Sequence, residues 1–487
     1  MSKTSGIQGR YVPALIAALA ALVPYILTTS GYPLYGKDLT ADLGISGQMQ
    51  SLVAALATAG YAYGALVAGD LVNRFTQRRL FLICEATQTA GWLIAASAPG
   101  PWPYALGQIL AGSGTGMLLV IALPPTIRRF SAARIPVTAI FINVGLFGGV
   151  AAGPLLGGIV AATHGWRWLF GAYAALGVAT WSLGWFTLVE EDPFNPELPV
   201  DRSALLLAAA ATVLPFIGAG LLARVGFSSL LFWVPVTIGL GCLAALLVTE
   251  FHKKDPLAPV KRMWTTFPVV GTIAATIGGA AFVTFLQLAT NDALQVRHVA
   301  PIHVGISYWP MLLGAMVAAA LLGLVLKTRF VTFLISGSML LLLLGGVLLL
   351  DRAEVGSLHH FAAVLLLGLG AGGTVGPGLF LAGLSLPSSV LGRIVALIEL
   401  VRSVGDFILA PVLLEVAHVA SGPALTPHGI RFATTATLWC AVVITLPTVM
   451  IFLAGKRYLQ RPDLHSWQES EEQPALKSPA LFARFRA

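Results

Sequence analysis

The sequence predicts an all-α integral membrane protein with fourteen transmembrane helices, arranged as two six-helix bundles with two further helices inserted between them. Three observations carry that prediction. The 487 residues are 57% hydrophobic and only 10% charged, against about 45–50% apolar and about 25% charged in soluble chains; the mean hydropathy is +0.84. The apolar residues fall in fourteen continuous runs of about 20 residues, the length of helix that crosses a hydrocarbon core about 30 Å thick. The basic residues concentrate in alternate segments between those runs. Together these exclude a soluble enzyme and a disordered scaffold, and continuous rather than alternating runs exclude a barrel. The net charge of +8 is spread through short loops, which marks membrane topology and not nucleic-acid binding.

The first run, 11–35, exceeds the apolar core of a signal peptide, about 7–15 residues, and reads as a retained span. Five more follow at 47–72, 79–98, 102–125, 136–161 and 166–189. Runs at 203–223 and 229–249 are the inserted pair. The last six lie at 266–288, 304–326, 330–350, 359–384, 391–418 and 431–455. An acidic, Pro-rich linker from Glu190 to Asp201 and a charged break from Glu250 to Trp264 separate these groups. The divisions are therefore 1–190 for the N-terminal bundle, 191–264 for the linker and extra spans, 265–455 for the C-terminal bundle, and 456–487 for a basic tail. The tail is expected to lie loosely on the inner surface, against anionic lipid. Cys84, Cys242 and Cys440 each sit in an apolar run without metal-ligand spacing and read as packing residues. No nucleotide-binding loop G-x-x-x-x-G-K-[ST] occurs, and no cofactor is implied.

An even number of spans puts both termini on one side. With that side cytoplasmic, inside segments hold 22 of the 29 Lys and Arg, and outside loops hold six. Arg128, Arg129, Arg134, Lys253, Lys254, Lys261 and Arg262 are among the inside residues. The split predicts a multi-pass protein of the plasma (inner) membrane with both termini cytoplasmic.

Four stretches stand out. The loop after the second span reads Gly69-Asp-Leu-Val-Asn-Arg-Phe-Thr-Gln-Arg-Arg79. The fifth span contains Gly149-Val-Ala-Ala-Gly-Pro-Leu-Leu-Gly-Gly158. The turn into the sixth reads Gly165-Trp-Arg-Trp-Leu-Phe170, and the ninth holds Phe285-Leu-Gln287, followed by Gly305 and Pro310. By these stretches the chain resembles the major facilitator superfamily over nearly its whole length, and specifically the fourteen-helix drug:proton antiporter branch. The fifth-span pattern is the most specific of the four.

That resemblance implies two gating elements. In the family the loop with Gly69, Asp70, Asn73, Arg74, Arg78 and Arg79 stabilises the outward-facing state; here Asn73 and Thr76 stand where Asp and Gly are usual. Basic side chains there can also cap helix ends, meet neighbouring carboxylates, or simply fix topology. In the fifth span Gly149, Gly153 and Gly157 share one face. Pro154, beside them and before Gly158, removes a backbone hydrogen bond. In antiporters this face seals the halves on the outer side; the plain alternative is a packing groove. The Trp166-Arg167-Trp168 turn reads as an outer aromatic belt.

Ionisable groups inside a membrane are costly and are functional candidates. Glu399, Arg402 and Asp406 fall at i, i+3 and i+7 of the thirteenth span and line one face. Asp406 lies about 22 Å along that span, just past half way. Its carboxylate can take a proton when the paired Arg402 moves away, which is a route to proton coupling; a static ion-pair network is the alternative. The resemblance also supports Arg402, through its R-x-x-G spacing with Gly405. Asp70 and Glu85 read as structural partners for the basic loop, and Asn291 and Asp292 as solvated groups at the outer mouth. Seven of the nine histidines map to the outer side without ligand spacing, so no metal site is implied. Two departures from the family concern coupling: Gln108 stands where relatives carry Arg, and Pro24 where they carry Asp.

The expected function is secondary active export of hydrophobic or amphipathic organic compounds, multidrug-type, by proton antiport and alternating access. Candidate cavity residues, chosen by depth and chemistry, are Tyr25, Gln108, Phe285, Gln287 and Trp309. The expected partners are a small hydrophobic substrate, protons and membrane lipid; nothing indicates a periplasmic adaptor. A lipid, siderophore or metabolite carrier with different or no proton coupling is the alternative.

Overall fold

The computed structural model describes residues 8–190, 200–254, 256–422, 424–455, 460–470 and 472–481. All fourteen apolar runs are helical. In chain order they are α1 (Tyr11–Leu43), α2 (Gly47–Leu71), α3 (Gln77–Ala96), α4 (Pro101–Arg128), α5 (Ala132–Thr163), α6 (Trp166–Thr187), α7 (Arg202–Val225) and α8 (Leu230–His252). Then come α9 (Thr266–Val296), α10 (Pro301–Val325), α11 (Val331–Leu349), α12 (Leu358–Leu384), α13 (Leu391–Ser421) and α14 (Pro427–Gly455). A short helix, α15 (Leu464–Glu469), lies in the C-terminal segment. No sheet forms among the described residues; one isolated bridge joins Thr265 to Ala480.

Twelve of the helices are long and apolar enough to cross a membrane by length and composition. The exceptions are α3, with Arg78, Arg79 and Glu85, and α13, with Arg393, Glu399, Arg402, Asp406 and Glu415. Their charge lowers their hydropathy, so this criterion alone does not reach fourteen.

Local sequence explains the helix ends. α1 runs past the expected 35 and stops at Gly44, whose φ of +62° suits a residue without Cβ. Ser46 then caps α2, its hydroxyl accepting from Met49 N–H at 3.2 Å. Ser357 caps α12 in the same way, through His360 N–H at 3.2 Å. A wide turn at Val144–Gly148 interrupts α5 just before its glycine cluster.

Helices α1 to α6 pack on one another, chiefly α2 on α4, α3 on α4, α1 on α5 and α3 on α6. Helices α9 to α14 form a second group, through α11 on α12, α10 on α12, α9 on α12 and α9 on α13. The groups meet along two seams, α2 with α13 and α5 with α10. α7 and α8 pair with each other, and α7 packs against both α2 and α13. Small residues make the close contacts: a Cβ on Gly91 or on Gly107 would stand 2.6 Å from the other's carbonyl oxygen.

Two expectations change. The tail is not loose: among its described residues Leu464, Trp467, Ala475 and Leu476 are buried, because their side chains pack under the ends of the two helix groups. Its stretches 456–459, 471 and 482–487, and residues 191–199 of the acidic linker, lie outside the described residues. Asp292 is not solvated. It is 6% exposed and accepts from Arg297 Nε at 2.7 Å and Arg352 Nε at 3.0 Å.

Candidate functional site

The charged residues of α13 form one network. Arg402 donates to Glu399 Oε2 from Nε at 3.1 Å and from Nη2 at 2.6 Å, and its Nη1 pairs with Asp406. The i, i+3, i+7 spacing allows this, since one long side chain between two acids reaches both. Glu399 is 3% exposed. Asp406 lies against the backbone of α9, where a Cβ on Gly279 would stand 2.9 Å from its Oδ1. Asp406 Oδ1 has no hydrogen-bond partner.

Glu399 also lines an almost wholly apolar cavity between the two helix groups. Leu119 and Ile127 of α4, Asn143 and Leu146 of α5, Phe380 of α12 and Trp467 of the C-terminal segment line it. Its volume is about 50 Å³. Tyr61 of α2 stands beside Arg402. Tyr61 stacks on Tyr25 of α1 at 5.7 Å, and Tyr25 lies 6.4 Å from Trp92. This aromatic row connects the α13 charges to the centre of the first helix group.

The five cavity candidates do not come together. Tyr25 reaches the charges only through Tyr61. Gln108 is buried beside the α3–α4 contact, with its amide nitrogen unpartnered. Phe285 packs in the second group's core against Gly346 and Leu438, and Gln287 is half-buried on the same helix. Trp309 is 50% exposed and edge-on to Phe361 at 5.4 Å. None of the five lines the apolar cavity.

The glycine-rich α5 divides its roles between two faces. Gly149, Gly153 and Gly157 pack on α1 of their own group, against Ile26, Ser30 and Gly31. The contact with α10 comes instead from the adjacent face: a Cβ on Gly158 would stand 3.0 Å from Pro301 O, and one on Gly305 would meet Pro154 O. The seam between the groups is thus Pro154, Gly158 and Gly305, not the shared face of the three spaced glycines.

In the loop after α2, Arg74 pairs with Asp70 through Nε at 2.9 Å and Nη2 at 3.1 Å. Asn73 donates to Gly69 O at 3.0 Å. Gly69 faces Ala396 and Arg393 of α13, so the loop meets the second group there. Arg78 lies over the Trp185 ring of α6 at 4.7 Å. Glu85 does not receive an arginine: it is fully buried and neither oxygen has a hydrogen-bond partner.

Three residues carry contacts that sequence reasoning missed. Asn143 of α5 donates to Gly372 O of α12 at 2.9 Å, joining the two groups. Tyr61 links α2 to the charges, and Trp467 lines the cavity. A lone polar residue in an apolar run, as at Asn143, is a weak but usable signal; a Tyr in such a run is none. Among the described residues no group of three or more His, Cys, Asp or Glu could hold a metal ion.

Residues 14–206 match the family described as Major Facilitator Superfamily. The chain is 28% identical over 356 residues to the uncharacterized MFS-type transporter YubD of Bacillus subtilis, covering 70% of this chain and 68% of that one. It is 24% identical over 286 residues to the multidrug resistance protein B homolog of Mycobacterium tuberculosis, covering 58% and 51%. It is 25% identical over 440 residues to the puromycin resistance protein of Streptomyces alboniger, covering 86% and 84%. The structure of the human organic anion transporter MFSD10 (TETRAN) superposes with a TM-score of 0.64 at 13% identity, covering 91% of this chain and all of that one; this likeness bears on the fold alone. The matched segment, the two-group helical fold and the drug-resistance relatives share one likeness: over residues 14–206 this chain is similar to the Major Facilitator Superfamily, and its helical fold is like that of a multi-pass membrane transporter.

Proposed function

We propose that the chain exports hydrophobic or amphipathic organic compounds across the plasma (inner) membrane, driven by inward proton flow and working by alternating access. One observation carries this reading: an apolar cavity between the two helix groups has, at its edge, a carboxylate that shares an arginine with a second acid. The apolar wall suits a greasy substrate. The shared arginine suits coupling. A proton arriving on Glu399 or Asp406 removes one of the two charges holding Arg402 and frees the guanidinium toward the other acid. Tyr61 borders Arg402 from α2, so that movement acts on the seam between the groups. On the other seam, opening requires Gly158 and Gly305 to part.

The fourteen-span topology belongs to the same reading. α3 has 20 residues and α13 has 31, both long enough to cross at about 1.5 Å per residue. Their charges are partly met inside the bundle, Arg402 by two acids and Arg78 by Trp185. Fourteen spans put both termini on the Lys- and Arg-rich side, the cytoplasm. α7 and α8 are then an insert that braces the α2–α13 seam.

The test uses puromycin, since a relative covering most of the chain is named for resistance to it. Cells expressing the protein should lower their puromycin content in a way that needs the proton gradient. The Glu399→Gln, Asp406→Asn double variant should lose this. Retained efflux with the same pH dependence overturns the assignment of coupling to α13.

A second reading, a lipid, siderophore or metabolite carrier with different or no proton coupling, is favoured by Gln108. It stands where the resemblance puts Arg, and its buried amide nitrogen meets no partner. Flux of such a compound that is indifferent to a pH gradient would select this reading.

A further inference from the structure

We propose that residues 460–470 and 472–481 form an intramolecular plug that clasps the two helix groups together and keeps the cytoplasmic mouth of the central cavity shut until it is displaced. The word cytoplasmic rests on the orientation proposed above; the plug itself does not. α15 is capped by Asp463, whose Oδ1 accepts from Ser466 N–H at 3.1 Å. From this single turn, two side chains reach in opposite directions. Trp467 Nε1 donates to Leu386 O at 2.8 Å, beyond the end of α12 in the second group. Gln468 Nε2 donates to Ile127 O at 2.9 Å and Phe130 O at 2.8 Å, at the end of α4 in the first group. Further along, Leu476 N–H donates to Leu384 O at 2.9 Å, and Ser478 Oγ accepts from Phe267 N–H at 2.9 Å.

These partners have a common origin. The last four carbonyls of a helix have no acceptor role inside it, and a helix end under cover needs donors from elsewhere. Here the tail supplies donors to Ile127 O of α4 and Leu384 O of α12 at once. The mouth cannot widen while both are held. The Trp467 ring, 1% exposed, is part of the cavity wall. The remaining cavity of about 50 Å³ is far below the roughly 300–1,000 Å³ of small-molecule sites, so substrate entry requires Trp467 to leave.

The test does not depend on transport. In a background with Cys84, Cys242 and Cys440 changed to Ser, Leu123→Cys places a thiol on the cavity wall. A membrane-impermeant maleimide is added to sealed inside-out vesicles. Trp467→Ala, and separately deletion of 462–487, should speed labelling about tenfold, the factor equivalent to about 1.4 kcal/mol. Gln468→Ala, which keeps the Trp and frees only the first group, should give a smaller rise of about threefold. Unchanged labelling in all three, in protein that remains monodisperse in detergent, overturns the plug. Acceleration seen only in right-side-out vesicles would leave the plug standing and overturn the orientation.

Discussion

Arg402→Met tests whether the α13 network holds the resting structure together. Methionine keeps the apolar length of the stem and removes the guanidinium. Three interactions go: two to Glu399 Oε2, at 3.1 Å and 2.6 Å, and one to Asp406. What remains are two carboxylates three and four positions away, one of them only 3% exposed. Removing one partner of a buried ion pair costs about 3–5 kcal/mol, mostly because the other charge is left uncompensated. For a chain of this size each kcal/mol lowers the melting temperature by about 1–2 °C, so a drop of about 3–10 °C is expected in detergent, read by thermal unfolding. The control is the neutral triple variant Glu399→Gln, Arg402→Met, Asp406→Asn. It removes the stranded charges and should recover most of the loss, since a neutral set of similar volume is often as stable as the ion pair it replaces. A single variant as stable as the wild type, or a triple variant no better than the single, refutes the network.

Gly158→Leu should part α5 from α10, because even a Cβ there stands 3.0 Å from Pro301 O and 3.1 Å from Ile302 Cα; maleimide labelling of Ser307→Cys from the outer side should rise about threefold or more, and unchanged labelling would mean that the seam yields elsewhere. Asp201→Ala should cost about 1 kcal/mol by removing the cap that accepts from Ala204 N–H at 3.0 Å. Burial works to raise the Asp201 pKa, but hydrogen bonds from Lys253, Ala204 N–H and Ser203 outweigh it and hold the carboxyl below its usual range. Its contribution is therefore complete above about pH 4 and is lost as pH falls through the lowered folded-state pKa; unfolding of wild type and variant at pH 7 and in acid should show the gap close. Asp292→Asn should lower stability by about 2 kcal/mol, since Arg297 and Arg352 both lose a charged acceptor; an unchanged melting temperature would mean that the cluster is effectively solvated.

Much of the architecture was legible in the sequence because membrane helices announce themselves by length and apolarity. The boundaries of most runs lie within a few residues of the helices. The first ran on to Leu43 because its end is polar, Lys37-Asp-Leu-Thr, and hydropathy stops where helicity does not. The α13 charges were legible for the opposite reason: charge inside an apolar run is conspicuous, and helical spacing puts three of them on one side. Glu399, Arg402 and Asp406 needed no knowledge of other helices. The cavity candidates did, and depth along a helix says nothing about which way a side chain points. Phe285 and Trp309 are both plausible by depth, yet one is in the core and the other half exposed. Asn143 finds its acceptor 229 positions away, which no local pattern encodes. The tail was misread because its composition is polar and basic. Its folded part rests on four apolar residues, Leu464, Trp467, Ala475 and Leu476, too few to register in a window yet enough to bury against helix ends.

If proton movement is coupled to export through α13, it is read most directly from the protons themselves. Inside-out vesicles carrying the protein are loaded with a pH dye and given an imposed gradient, and puromycin is added, followed by a range of lipophilic cations. Coupling through α13 predicts a collapse of the gradient that requires the protein, saturates with the added compound and disappears with Asp406→Asn. Compound uptake that proceeds at the same rate with no proton movement, or a collapse untouched by Asp406→Asn, contradicts it.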